Sequence, residues 1–119
     1  MAVGRWFSRH SRAGWATCPF TQAGFVRILS NPLFSPHALT LSNALAVLQS
    51  NVNLPSHQFW PANISVLQAI EKVGHPLAGH RQVTDAYLLG LAIHQKGRFA
   101  TLDRAINALD PGGFVEFLG

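Results

Sequence analysis

Between Met1 and Ile70 the chain contains no aspartate or glutamate; its acids are Glu71, Asp85, Asp103, Asp110 and Glu116. Any site that needs clustered carboxylates must therefore be assembled from the C-terminal part. Cysteine is almost as scarce: Cys18 stands alone, which excludes an intrachain disulfide and points to a reducing compartment. Long apolar runs are absent too, so nothing reads as spanning a membrane. The arginine-bearing N-terminus "MAVGRWFSRHSRAGW" lacks the apolar stretch of a secretory signal. No repeat, low-complexity tract, Gly-rich phosphate loop or Ser-His-Asp order is present. His10, His37, His57, His75, His80 and His94 show no zinc-ligand spacing and have no companion cysteines, so they read as ordinary surface or core histidines. The expected location is the cytoplasm, with no membrane partner.

What is present describes one domain of 119 residues, with 48% of them apolar and a net charge of +4. The excess of positive charge favours a polyanionic partner, RNA or DNA before an acidic membrane. Short apolar strands are expected at "GWATCP" (14–19), "HQFW" (57–60), "RFATL" (98–102) and "FVEFL" (114–118). Between them, periodicity predicts helices. The first is capped by Thr21 and runs through Phe25, Ile28 and Leu29. The second is written by Leu41, Ala44, Leu45 and Leu48. A third starts near Asn63, with Val66, Ile70 and Val73 on one side, and ends at Gly74. A fourth covers about 84–96 and is apolar nearly all round, with Gly90 and His94 as its polar gap. A brief helix over 105–109 follows. Strands alternating with helices imply an α/β fold with a mostly parallel sheet.

Functional residues of such folds gather at the carboxyl ends of the strands. Asp103 follows "RFATL" directly, and Asp85 opens the buried helix leading into that strand. One helix plus one strand separates them, enough to return both to the same edge. Two close carboxylates repel and coexist mainly where a cation compensates them. Either aspartate, each next to a threonine, also has the ordinary role of a helix-capping acid, so capping and metal binding both remain open. Arg5, Arg9 and Arg12, interleaved with Trp6 and Phe7, suit an RNA-contacting arm, although solvated arginines on a frayed amphipathic helix are the simpler reading. Arg81 is a further candidate RNA contact. Arg27 and Arg104 suit either a phosphate or an internal ion pair with an aspartate.

The stretch "VTDAYLLGLAIHQKGRFATLDRAI" resembles the C-terminal signature of the PIN-domain family, specifically VapC-type toxin ribonucleases. "GWATCPFTQAGFVRILSNP" and "LPSHQFW" extend the resemblance over almost the whole chain. It implies a PIN-like three-layer α/β/α sandwich over 1–119, and Mg²⁺ or Mn²⁺ bound by clustered acids. It also implies endonucleolytic cleavage of RNA by metal-activated water, a VapB-like antitoxin partner and a homodimer. Asp85 and Asp103 match the family's two late acidic positions and become the expected catalytic and metal-binding residues. Thr21, Gln22, Arg27, Thr84, Thr101 and Arg104 are expected to line the site. Two departures stand out: the family's first strand, reading roughly L-L-D-x-N, has no counterpart, and Gln22 occupies a position that often carries glutamate. The chain is thus expected to be N-terminally truncated relative to the family. The alternative to an enzyme is a non-catalytic remnant that binds RNA or an antitoxin.

Overall fold

The computed structural model describes residues 14–34, 36–74, 76–77, 79–101 and 104–117. They fall into two compact units, divided between Pro61 and Ala62. In the first unit, β1 (Trp15–Thr17) leads into α1 (Pro19–Leu29), then α2 (Leu41–Val52) and β2 (His57–Phe59). In the second, α3 (Val66–Val73) is followed by a 3₁₀ turn (His80–Gln82) and α4 (Val83–His94). Then come β3 (Phe99–Thr101), a 3₁₀ helix (Arg104–Leu109) and β4 (Val115–Phe117). Every predicted element is present, and the class is mixed α/β with short parallel strands. The strands pair within each unit: β1 with β2 and β3 with β4, both in parallel.

In residues 14–61 the main correction concerns the start of α1. Cys18, in extended conformation, is the N-cap, and Pro19 occupies the first helical position, where its missing N–H costs nothing. Thr21 sits one turn inside. Its hydroxyl accepts from the Cys18 N–H at 2.9 Å and donates to the Cys18 carbonyl at 3.1 Å, so it closes the cap from within. The helix therefore begins before Thr21. Cys18, expected within a strand, lies just beyond it and is buried. Helix α2 starts where Thr40 caps Asn43 N at 3.1 Å. Of its apolar stripe only Ala44 is fully buried, while Leu41 and Leu45 are exposed. Only Cys18 and Ala44 are buried hydrophobics among the described residues of this unit.

Residues 62–117 hold a continuous core: Val73, Ala86, Leu89, Ile106, Leu109 and Val115, with Ile70, Phe99 and Phe114 packed against it. Helix α3 begins at Val66 rather than near Asn63, because Ser65 and Gln68 form a reciprocal cap. Ser65 Oγ accepts from Gln68 N at 3.1 Å, and Gln68 Oε1 accepts from Ser65 N at 3.0 Å. The helix ends at Gly74 in the left-handed region, φ 75°. Its buried side is Ala69 and Val73; Val66 lies outside the core.

Helix α4 buries Ala86, Tyr87, Leu89, Gly90, Leu91 and Ala92. Gly90 is not a polar gap. It is the point where α4 meets the backbone of α3: a Cβ built there would collide with the Ala69 carbonyl oxygen. His94, in contrast, is exposed. The helix stops at His94, two residues before the expected end, and Lys96 takes the left-handed turn at φ 60°. Gly97 N then donates to Ala92 O at 2.8 Å, securing the exit toward β3.

Candidate functional site

Asp85 is the third residue of α4, inside its first turn. The helix is entered from the 3₁₀ turn, so Gln82 at the N-cap already has helical dihedrals and makes no side-chain cap. Asp85 is thus not at the N-cap position itself. At this position its negative charge is stabilised by the dipole of the helix start. It is half-buried, Thr84 before it is exposed, and Arg81 stands exposed in the preceding turn.

Residues 95–98 join α4 to β3, which packs against that helix. Thr101 is the last residue of β3 and is half-buried. Asp103 follows two residues later and lies outside the described residues, as do Arg5, Arg9 and Arg12. Arg104 opens the 3₁₀ helix. Among the described residues no three of His, Cys, Asp or Glu gather into a metal-binding group.

Of the remaining acids, Asp110 is committed to the chain itself. Its Oδ1 accepts from Gly112 N at 3.1 Å and Phe114 N at 2.9 Å, and its Oδ2 from Val115 N at 3.1 Å. Burial pushes this carboxyl up, but the backbone N–H groups of Phe114, Gly112, Val115 and Gly113 outweigh it and hold the group below its ordinary value. Asp110 therefore fastens the turn, with Gly113 at φ 86°, that launches β4. Glu116 lies 3.9 Å from Arg98 across the β3–β4 pair. Glu71 lines an open cleft of about 410 Å³ with Ile64, Gln68, Lys72 and His94. At ~1.5 Å per residue along α4, His94 is about 13 Å from Asp85, so this cleft is a separate feature.

In the first unit, Arg27 is exposed in the last turn of α1 and Gln22 is half-buried in its first. Gln22 is joined to two residues that spacing gave no reason to connect with it. Its amide nitrogen donates to Thr17 Oγ1 at 2.9 Å, and Thr17 Oγ1 lies 2.7 Å from His57 Nε2. His57 thus leaves the class of unremarkable histidines. The signal that could have found it is the parallel register of β1 and β2, which sets Trp15 opposite His57.

Comparison with known proteins gives the class. No protein-family model matches the chain. Ribonuclease VapC39 of Mycobacterium tuberculosis is 38% identical over 117 residues, which covers 98% of this chain and 84% of that protein. Ribonuclease VapC44 of the same organism is 38% identical over 101 residues, 85% of this chain and 70% of that protein. Ribonuclease VapC38 is 36% identical over 107 residues, covering 90% and 74%. The chain belongs to the VapC-type, PIN-domain ribonuclease family, and its alternating helices and parallel strands agree with that fold class.

Proposed function

We propose that the protein is a metal-dependent endoribonuclease, the toxin of a VapBC-type pair, acting on RNA in the cytoplasm. The observation that carries this reading is its 38% identity over 117 residues to a protein named as a ribonuclease. The position of Asp85 in the first turn of α4 supports it. Asp85 and Asp103 are the proposed ligands of Mg²⁺ or Mn²⁺, with Thr84 and Thr101 beside them. The donor chemistry fits: carboxylate oxygens are the hard ligands these cations prefer, and a partial protein set completed by water suits Mg²⁺. When bound, such a cation supplies positive charge to the scissile phosphodiester and acidifies the attacking water.

Around that centre the chain's own contribution is electrostatic. Arg81 and Arg104 flank Asp85 and Asp103 in sequence and suit phosphate oxygens, as does the overall charge of +4. The family's pattern makes Gln22 a lining residue, with Thr21 and Arg27 near it in sequence. Membership of this family supports a VapB-like antitoxin and a homodimer as the protein's partners.

The test is cleavage of a single-stranded RNA by the purified chain with Mg²⁺ or Mn²⁺, with excess EDTA, and with Asp85→Asn. Metal-dependent cleavage that Asp85→Asn abolishes supports the proposal. Cleavage that survives both EDTA and Asp85→Asn overturns it.

A further inference from the structure

Trp15 and Thr17 share one face of β1, because side chains on a strand alternate. His57, opposite Trp15 in the parallel register, projects from β2 on that face. The result is a connected chain of polar groups. Trp15 meets the imidazole edge-on, ring centroids 4.7 Å apart at 60°. Thr17 Oγ1 lies 2.7 Å from His57 Nε2, and Gln22 Nε2 reaches the same oxygen at 2.9 Å.

A threonine hydroxyl has one proton and two lone pairs, and here both neighbours use it. The Gln22 amide N–H occupies one lone pair. A neutral imidazole carrying its proton on Nδ1 offers Nε2 as an acceptor, and the hydroxyl proton goes there. The chain then runs in one direction, from Gln22 through Thr17 to His57. The amide nitrogen is held inward, and its carbonyl oxygen is the end left to meet a donor. An imidazolium reverses the last link, since Nε2 becomes a donor into Thr17 Oγ1. The hydroxyl proton is then donated to the Gln22 carbonyl oxygen once the amide turns over. Gln22 then presents its NH₂ group instead.

Among residues 14–61 no acidic side chain competes for this imidazole. Neither β1 nor α2, the elements packed on β2, carries a titratable side chain. Helix α1 carries Arg27, five residues beyond Gln22. The remaining titratable side chains of residues 14–61 are Cys18 and His37, and no acid occurs before Glu71.

We propose that Thr17 and His57 are positioning residues for Gln22: neutral His57 holds the amide with its oxygen presented, and protonated His57 turns it to present a donor. The consequence for RNA rests on the reading of Gln22 as a lining residue of the nuclease site, whereas the hydrogen-bond relay does not. A presented oxygen accepts from a ribose hydroxyl or water, and a presented NH₂ group donates to a phosphate. The pH would therefore select which part of a nucleotide Gln22 engages.

The relay is tested on the full ¹⁵N-labelled chain without metal or RNA. Imidazole ¹⁵N shifts report the His57 tautomer and its titration, and the Gln22 side-chain NH₂ signals report the amide. We expect the Nδ1–H tautomer at high pH, and Gln22 signals that move with the same midpoint as His57. Thr17→Val should leave His57 titrating and Gln22 flat, and Thr17→Ser should restore the coupling. An Nε2–H tautomer, flat Gln22 signals in the native chain, or coupling that persists in Thr17→Val each overturns the relay. The first two readouts need no variant, so a Thr17→Val chain that does not fold leaves the test decisive. A confirmed relay in a chain that cleaves no RNA at any pH refutes the nuclease reading and leaves the relay standing.

Discussion

Replacing Gly90 by alanine sets two effects of opposite sign against each other. Alanine is favoured over glycine in a helix interior by ~1 kcal/mol, so propensity alone predicts a more stable protein. Packing predicts the reverse. The new Cβ would stand 2.6 Å from the carbonyl carbon and 2.7 Å from the Cα of Ala69, and would overlap the carbonyl oxygen. Carbon atoms in contact settle at ~3.5–4.0 Å, so α3 and α4 must move apart by about 1 Å. No side chain can swing away, because every atom met belongs to the α3 backbone. Separation would loosen Val73, Ala86 and Leu89, which are fully buried. Overpacking of this kind costs ~1–3 kcal/mol, and a rigid backbone obstacle places it at the upper end. The net expectation is a loss of about 2 kcal/mol, the larger cost less the propensity gain.

For a chain of this length that loss lowers Tm by roughly 8 °C. Thermal and urea unfolding followed by circular dichroism would measure it. Gly24 in α1 is the internal control, because a Cβ there meets nothing within 4 Å. Gly24→Ala should be neutral or stabilising by up to ~1 kcal/mol. A Gly90→Ala protein as stable as the native one refutes the packing argument. Since α4 also carries Asp85 five residues earlier, Gly90→Ala should weaken metal binding at temperatures where the protein is still folded.

Asp85→Asn keeps the size of the side chain and removes one ligand charge, so calorimetry should show Mn²⁺ affinity falling at least tenfold; unchanged affinity would remove Asp85 from the metal site. Asp110→Ala removes the acceptor of three backbone N–H groups in a partly solvated turn and should cost ~1–3 kcal/mol in urea unfolding. The Asp110 carboxyl is held below its ordinary value in the folded state. Its contribution is therefore complete above the ordinary carboxylate range and fades as pH falls through the folded-state value, so the stability gap to Asp110→Asn should close in acid. If RNA is the ligand, the logarithm of its affinity should fall steeply and linearly with the logarithm of salt concentration; a flat response contradicts an electrostatic groove.

The elements were legible because apolar periodicity and helix-end chemistry are local. Ala44 and Leu48 with their neighbours mark α2, and Gly74 marks the end of α3, without reference to anything distant. Boundaries failed where a reciprocal contact spans one turn. Thr21 looks like a cap because it is a threonine before an apolar run, but its hydroxyl serves the Cys18 backbone from inside the helix. Gly90 was misread for a different reason. On a helical wheel an absent side chain looks like an absent apolar contact, whereas the fold uses that absence to bring two backbones together. The candidate site divides along the same line. The position of Asp85 at a helix start follows from its local sequence. The meeting of Gln22, Thr17 and His57 depends on two strands 40 residues apart adopting a parallel register, so it becomes visible only in three dimensions. It also bears on how a site position with no acidic side chain would work. A glutamate brings its own charge to a site, but an amide brings two different ends, and something must decide which one faces outward. On the relay proposed above, the deciding group is a hydroxyl held by a histidine.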